Sequence, residues 1–315
     1  MQAPQPARSA RPNGPASSDA SGLRLLAVHA HPDDESSKGA ASMARYAAEG
    51  ARVRVLTCTG GERGSVLNPR LEGDEQVAAN LPALRRREME RAAEILGVEH
   101  EWLGFPDSGL PQGDPRPPLP DGCFALVPLD EATERMVRTI RSFRPHVMTT
   151  YDPSGGYPHP DHIRCHEVSV AAFAAAADPD RFPEAGPAWR VPKLYYNGGF
   201  RRARVRQMHE AMLARGIESP FGEMLEWMAK QPERPATPAP TTFVDCAEYF
   251  PLRDRALLAH ETQIDPEGNW FKVPMALQQE LTPSEDYVLV ESTVETTLPE
   301  NDVFAGLRDR SSRPD

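Results

Sequence analysis

The chain has 315 residues, 39% hydrophobic and 26% charged, enough for one large α/β domain or a domain with a smaller appendage. Its net charge of −11, from 35 basic against 46 acidic side chains, comes without a basic stripe and argues against nucleic acid or an anionic membrane as the main partner. Four widely spaced cysteines (Cys58, Cys123, Cys165, Cys246) read as reduced, buried thiols, and no run of about eighteen apolar residues is available to span a bilayer.

Residues 1–22 are rich in Ala, Pro and Ser and lack an apolar segment, so a disordered tail is expected rather than a secretory signal, with the cytoplasm as compartment. Order is expected from Leu23. "LRLLAVHA" reads as a buried strand, "SKGAASMARYAAEG" as a helix ending at Gly50, and "RVRVLTCT" (52–59) as a second strand. Leu84 to Gly97 reads as an amphipathic helix and "EHEWLGF" as a third strand. A helix over 130–143 then leads to a fourth strand at 146–151. This alternation predicts an α/β fold with a Rossmann-like, doubly wound, mostly parallel sheet over 23–185. A smaller, irregular α+β part is expected over 186–307, completing the substrate pocket, with a short tail at 308–315. In it, 193–200 and "TTFVDC" read as strands, and 203–215, 221–230 and "FPLRDRALLAHETQ" as helices. The proline-rich stretches "PDSGLPQGDPRPPLPDG" and "KQPERPATPAPTT" read as long loops, and there is no internal repeat.

Two polar clusters stand out. "HAHPDDE" follows the first strand and "GGYPHPDHIRCH" follows the fourth, about 130 residues apart. In open α/β sheets ligands bind outside the carboxyl ends of the strands, so the two clusters are expected to converge there. Singly, each has an ordinary explanation: Asp33, Asp34 or Ser36 could cap a helix, and HPDH could be a turn with a helix start. Together they suit a His-Asp-His metal site with open positions, for zinc or ferrous iron. A leftover acid beside a ligand is then available to take a proton from water, and a second histidine to stabilise an oxyanion and protonate a leaving amine. Asp161 is close enough in sequence to partner that histidine. Spacing alone leaves open which histidine does which task. A nucleotide-binding reading fails, because the first loop lacks glycines and would set negative charge against a phosphate.

The pair "AHPDDE" and "HPDH" resembles the metal-dependent N-acetylglucosaminyl deacetylase superfamily (LmbE-like, PIG-L), and the similarity runs from Leu23 to about Leu307. Within it, "TGGERGSVLNP", "WLGFPDSGLP", "DGCFALVPL" and "TTYDPSGGYPHPDH" resemble the amidases that cleave mycothiol S-conjugates. The resemblance implies His31, Asp34 and His162 as zinc ligands, Asp33 as general base and His159 as the group that stabilises the oxyanion and protonates the amine. It further implies that Asp161 orients His159 and that Tyr157 assists at the scissile carbonyl. Arg85 and Asp107 match sugar- or inositol-contacting positions, with Arg86 and Arg87 as neighbours that blur the first, and Lys38 resembles an amidase contact to the larger substrate. An exposed charged helix face would equally explain the arginines, and solvation would explain Lys38. His166, four residues after His162, has ligand spacing without a family match, and packing is the expected role of His29. His260 matches a recurrent C-terminal element, expected to back the site or a subunit contact. A histidine is expected in or beside "YYNGGF", where this chain has Asn197, Gly198 and Gly199.

The function implied is a zinc amidase acting on a small-molecule pseudodisaccharide thiol conjugate, giving a mercapturic acid and glucosaminyl-inositol in thiol detoxification. A homo-oligomer is left open. The competing readings are the N-acetylglucosaminyl-inositol deacetylase of mycothiol biosynthesis, a tailoring amidase of natural-product assembly, and a metal-binding scaffold without turnover. The presence of Asp33 and His159 argues against the last, since binding alone needs neither.

Overall fold

The computed structural model describes residues 19–198, 201–230 and 238–308. Seven strands form one sheet in the order β3-β2-β1-β4-β5-β7-β6, with β1 Arg24–His29, β2 Arg52–Thr59, β3 Glu99–Phe105, β4 Val147–Thr150, β5 Lys193–Asn197, β6 Thr242–Asp245 and β7 Ser284–Ser292. The first five are mutually parallel and β7 runs antiparallel to both β5 and β6, so the sheet is mixed but mostly parallel. Sheet pairing continues across residue 186, since β5 bonds both β4 and β7.

Alternation along β1 sorts its side chains onto two buried faces, as a sheet covered on both sides requires. Leu26 and Val28 pack with Leu56, Met148 and Leu194 beneath α4 (Leu129–Phe143) and α5 (Pro160–Ala176), where Met136, Ile140 and Val168 complete the layer. Leu25 and Ala27 pack with Val53 and Val55 beneath α2 (Ala40–Ala48) and α3 (Glu75–Leu96), against Met43, Tyr46 and Met89. The four cysteines are free and buried, as expected. Buried Arg141 donates to the carbonyls of Ala175, Ala176, Asp178, Arg181, Phe182 and Gly186, tying α4 to the end of α5. No helix among the described residues is long and apolar enough to cross a membrane.

Several boundaries differ from the sequence expectations. The first helix is split: α1 covers Asp34–Ser37, and Gly39, at φ 90°, separates it from α2. Helix α3 begins at Glu75, where the Asp74 side chain accepts from the amides of Gln76 and Val77, and it ends at Gly97 in left-handed conformation. Residues 1–18 and 309–315 of the expected tails lie outside the described residues, as do Gly199 and Phe200 of the expected 193–200 strand. Ala20 is buried, and its amide donates to the Glu49 carbonyl. Helices α6 (Arg202–Ala214), α7 (Gly222–Lys230), α8 (Phe250–Ala259) and α9 (Met275–Leu281) build the later part.

Candidate active site

Strands β1 and β4 are neighbours, and β1 is flanked by β2 on its other side, so the carboxyl end of β1 lies at the topological switch of the sheet. The segment after β1 turns sharply. Asp33 stands before α1 with φ 105° and makes no side-chain capping bond, so the ordinary explanation of this acid as a helix cap does not hold. A non-glycine residue in that region is strained and persists only where its surroundings hold it. Glu35 does so by accepting the Asp33 N–H at 2.9 Å. After β4, a loop returns as α5, with His159 as N-cap and Pro160 in the first turn, which aims His159, Asp161 and His162 back at the β1 loop.

Three donor atoms meet there as a near-equilateral triangle. His31 Nδ1 and His162 Nε2 are 3.3 Å apart, His31 Nδ1 and Asp34 Oδ2 are 3.5 Å apart, and His162 Nε2 and Asp34 Oδ2 are 3.4 Å apart. A tetrahedral ion with bonds of about 2.0–2.1 Å would hold its donors about 3.3–3.4 Å from one another, so these three residues fit a divalent cation without rearrangement. Two further groups have ligand atoms within 4.8 Å of one another, His31 with His159 and His162, and His31 with Asp107 and Asp161. Both include His31, whose Nε2 lies 3.2 Å from Asp161 Oδ2 and 3.6 Å from Asp107 Oδ1. His162 is fixed from behind by its Nδ1, 2.9 Å from the Gly155 carbonyl, and His31 by its Nε2, 3.2 Å from Asp161 Oδ2. Such outer partners orient metal-binding imidazoles and set their tautomers. Gly155 is required here, because a Cβ on it would lie 2.6 Å from the His162 Cβ.

The electrostatics separate the two adjacent acids. Burial opposes ionisation of Asp34, but His162 and Lys38 outweigh it and hold its carboxyl well below the usual range. Burial and the Asp34 charge instead push Asp33 up to about 7. Burial, then the charges of His31 and His162, drive His159 down to about 3, so its ring is neutral near pH 7. Its Nδ1 accepts the Asp161 N–H at 3.1 Å, which leaves the ring proton on Nε2 as a free donor.

The remaining expected residues fall into three groups. Tyr157 stands 43% exposed at the rim, its ring 4.6 Å from that of His162. The Asp161 side chain departs from expectation: its oxygens accept from the Ser108 N–H and hydroxyl and contact His31, so only its main-chain N–H holds His159. The Lys38 ammonium donates to Asp34 Oδ1 at 2.7 Å, beside the donor triangle. Asp107 is buried and accepts from the amides of Arg63 and Gly109. Of the three consecutive arginines, only Arg85 is buried. It donates to the Ser65 carbonyl, and its Nε has no partner. Arg86 lies over the Trp102 ring. His166 is outside the triangle, with Nδ1 3.0 Å from the Tyr151 carbonyl. His29 is buried without a hydrogen-bond partner and held down near 4 by burial. Ser108 and the link between Glu35 and His260 were not legible as site residues. Ser108 sits in a quoted motif with no signal of its own, and the Glu35–His260 contact spans two distant segments.

A mostly parallel sheet that carries two imidazoles and a carboxylate at ligand spacing, with a further acid beside them, has the arrangement of a metal-assisted hydrolase. Residues 26–173 match the family model described as PIG-L: GlcNAc-PI de-N-acetylase, and the chain belongs to that family. It is 58% identical over 291 residues to mycothiol S-conjugate amidase of Streptomyces coelicolor, covering 92% of this chain and 99% of that one. It is 43% identical to 1D-myo-inositol 2-acetamido-2-deoxy-alpha-D-glucopyranoside deacetylase of Geodermatophilus obscurus, covering 90% of this chain and 98% of that one. In fold it is similar to N,N'-diacetylchitobiose deacetylase from Pyrococcus horikoshii, with TM-score 0.58 and 18% identity, covering 85% and 83% of the two chains. The conserved protein TT1542 from Thermus thermophilus gives TM-score 0.56 and 23% identity, covering 87% and 97%. The curated relatives are amidases and deacetylases, and this chain is an enzyme of their class, a hydrolase of amide bonds.

Proposed function

We propose that this chain is a cytoplasmic zinc amidase of thiol detoxification. It would cut the amide of mycothiol S-conjugates to release a mercapturic acid and glucosaminyl-inositol. The observation that carries the reading is the donor triangle of His31, Asp34 and His162 next to Asp33, an acid whose pKa is raised to about 7. Identity of 58% to the curated amidase against 43% to the deacetylase supports the choice of substrate.

In this reading His31, Asp34 and His162 hold the cation, which when bound would polarise a water molecule and the scissile carbonyl. Two imidazoles and one carboxylate suit zinc, and the same set suits ferrous iron. Asp33 takes the proton of the attacking water, a task for which a pKa near the working pH is favourable. His159 donates its Nε2–H to the developing oxyanion as a neutral group. The family resemblance also assigns His159 the amine proton. Asp33, which has just acquired a proton, is the other available donor for that step. Tyr157 assists from the rim, Asp161 holds His159 through its amide, and Lys38 fixes the second oxygen of Asp34. Arg85 and Asp107, on the β3 side, take the sugar and inositol. The part from 186 to 307 completes the pocket on the β5 side.

The same groups could release acetate from N-acetylglucosaminyl-inositol, or trim an adduct during natural-product assembly. Mass spectrometry of the products from a bimane conjugate of mycothiol tests the reading. The expected pair is the bimane mercapturic acid and glucosaminyl-inositol, and an intact conjugate after prolonged incubation overturns it.

A further inference from the structure

On the β5 side, next to the reaction centre, lies a cavity of about 530 Å³, the size of an ordinary small-molecule pocket. Lys38 and Tyr157 line it, and these two touch the donor triangle, Lys38 through its bond to Asp34 and Tyr157 through its ring against His162. Its far wall is apolar and comes from the later part of the chain: Val205 and Met208 on α6, Met224 on α7, and Val273 before α9. The cations that border it are already engaged. Arg204 pairs with Asp286 at 3.2 Å, Arg253 with Asp254 at 2.8 Å, and Arg201 donates to the carbonyls of Gly198 and Pro238. An anionic occupant therefore finds no unengaged arginine among these three, whereas an apolar one gains by leaving water.

One polar feature interrupts this lining. Asn197, the last residue of β5, lines the cavity, and both its carboxamide oxygen and nitrogen are buried without a hydrogen-bond partner. Leaving both halves of an amide unpaired is costly, and native structures rarely do so without a ligand or water to answer them. A secondary amide brings one donor and one acceptor and answers both.

We propose that this cavity takes the S-substituent of the conjugate, an apolar thioether group of aryl or branched-alkyl class, and that Asn197 bonds the N-acetyl amide of the cysteine arm. The inference rests on the S-conjugate reading above and adds the place and chemistry of its acyl half. Sugar and acyl halves then lie on opposite flanks of the donor triangle, Arg85 and Asp107 on the β3 flank and the cavity on the β5 flank.

The test uses the full chain loaded with zinc and mycothiol conjugates bearing S-methyl, S-butyl, S-benzyl and S-naphthylmethyl groups. Each buried methylene is expected to raise kcat/KM roughly two- to fourfold until the cavity is filled, mainly through KM. Met224→Glu should collapse the ratio of naphthylmethyl to methyl conjugate to below about twofold, while Met224→Leu keeps it. Unchanged bound zinc and circular dichroism in Met224→Glu would exclude simple misfolding. Asn197→Leu should raise KM for N-acetylated conjugates and leave the des-N-acetyl analogues unaffected. A flat series of S-substituents, or a ratio untouched by Met224→Glu, overturns the cavity assignment and leaves the amidase reading standing. Cleavage of N-acetylglucosaminyl-inositol with no conjugate cleaved overturns both.

Discussion

His260 Nε2 lies 2.7 Å from Glu35 Oε1, in a pair with no solvent exposure that joins positions 225 residues apart. The other Glu35 oxygen accepts the Asp33 N–H, so a histidine just past α8 braces the strained residue on which water activation depends in the proposed mechanism. Burial disfavours both charges, but each partner's field outweighs it: Glu35 is held down at about 2 and His260 is raised. Glu35 thus belongs to the support of the loop.

His260→Leu is expected to leave a buried carboxylate unpaired and to cost about 3–5 kcal/mol of stability. If His260 acts by positioning, kcat falls more than KM changes, and His260→Gln, which can still donate to Glu35, recovers part of kcat. A stability loss with the kinetics intact would reduce the pair to packing. Urea denaturation and steady-state kinetics on both variants separate the two outcomes.

The pair also predicts a pH window. Glu35 has a folded pKa below its unfolded value of 4.5, so its contribution is present above that value and lost as pH falls toward about 2. His260 has a folded pKa above its unfolded value of 6.5, so its contribution is complete below that value and lost as pH rises through the raised one. The stability difference between the metal-free native protein and His260→Gln should therefore be largest between pH 4.5 and 6.5 and shrink on both sides. Denaturation midpoints measured across pH check this, and a difference independent of pH contradicts it.

Asp33 carries the opposite sign for a carboxylate. Its folded pKa is raised from 3.8 to about 7, so the folded metal-free protein loses stability as pH rises through that range. Asp33→Asn is expected to stabilise the metal-free protein at about pH 8 by about 1–2 kcal/mol, a few degrees in Tm, while removing most turnover. Scanning calorimetry beside an activity assay tests the trade. A destabilised variant would mean that the strained loop needs this carboxylate for folding.

Metal content distinguishes Asp33, the proposed base, from His162, a proposed ligand. His162→Ala should lose bound zinc, whereas Asp33→Ala should keep it and lose activity, by about two to four powers of ten if Asp33 is the general base. Elemental analysis after dialysis reads the first and amine release the second. Near-normal turnover in Asp33→Ala would remove it as the base.

Much of this was legible in the chain because it rests on local pattern. The strand-forming runs at 24–29, 52–59, 99–105 and 147–150 give four of the five parallel strands, and the strand-end rule brings "HAHPDDE" and "HPDH" together. What escaped depends on contacts that periodicity does not encode. β7, "SEDYVLVES", has only Tyr287 and Val288 buried, so its alternation is weak, and its place between β5 and β6 is set by tertiary pairing. The first turns of α3 were hidden by Pro82 within the helix. The capture of Asp161 by Ser108 and His31, and of Lys38 by Asp34, leaves no trace in the order of residues.

The central claim is that this chain cuts the amide joining glucosaminyl-inositol to an S-substituted N-acetylcysteine. Comparing kcat/KM for amine release from a bimane conjugate of mycothiol and from N-acetylglucosaminyl-inositol, with the same zinc-loaded enzyme, tests it directly. The conjugate should be preferred by at least about tenfold, the discrimination that one or two well-packed apolar groups supply. A preference for the acetylated sugar would contradict the amidase assignment and make the enzyme a deacetylase built on the same site.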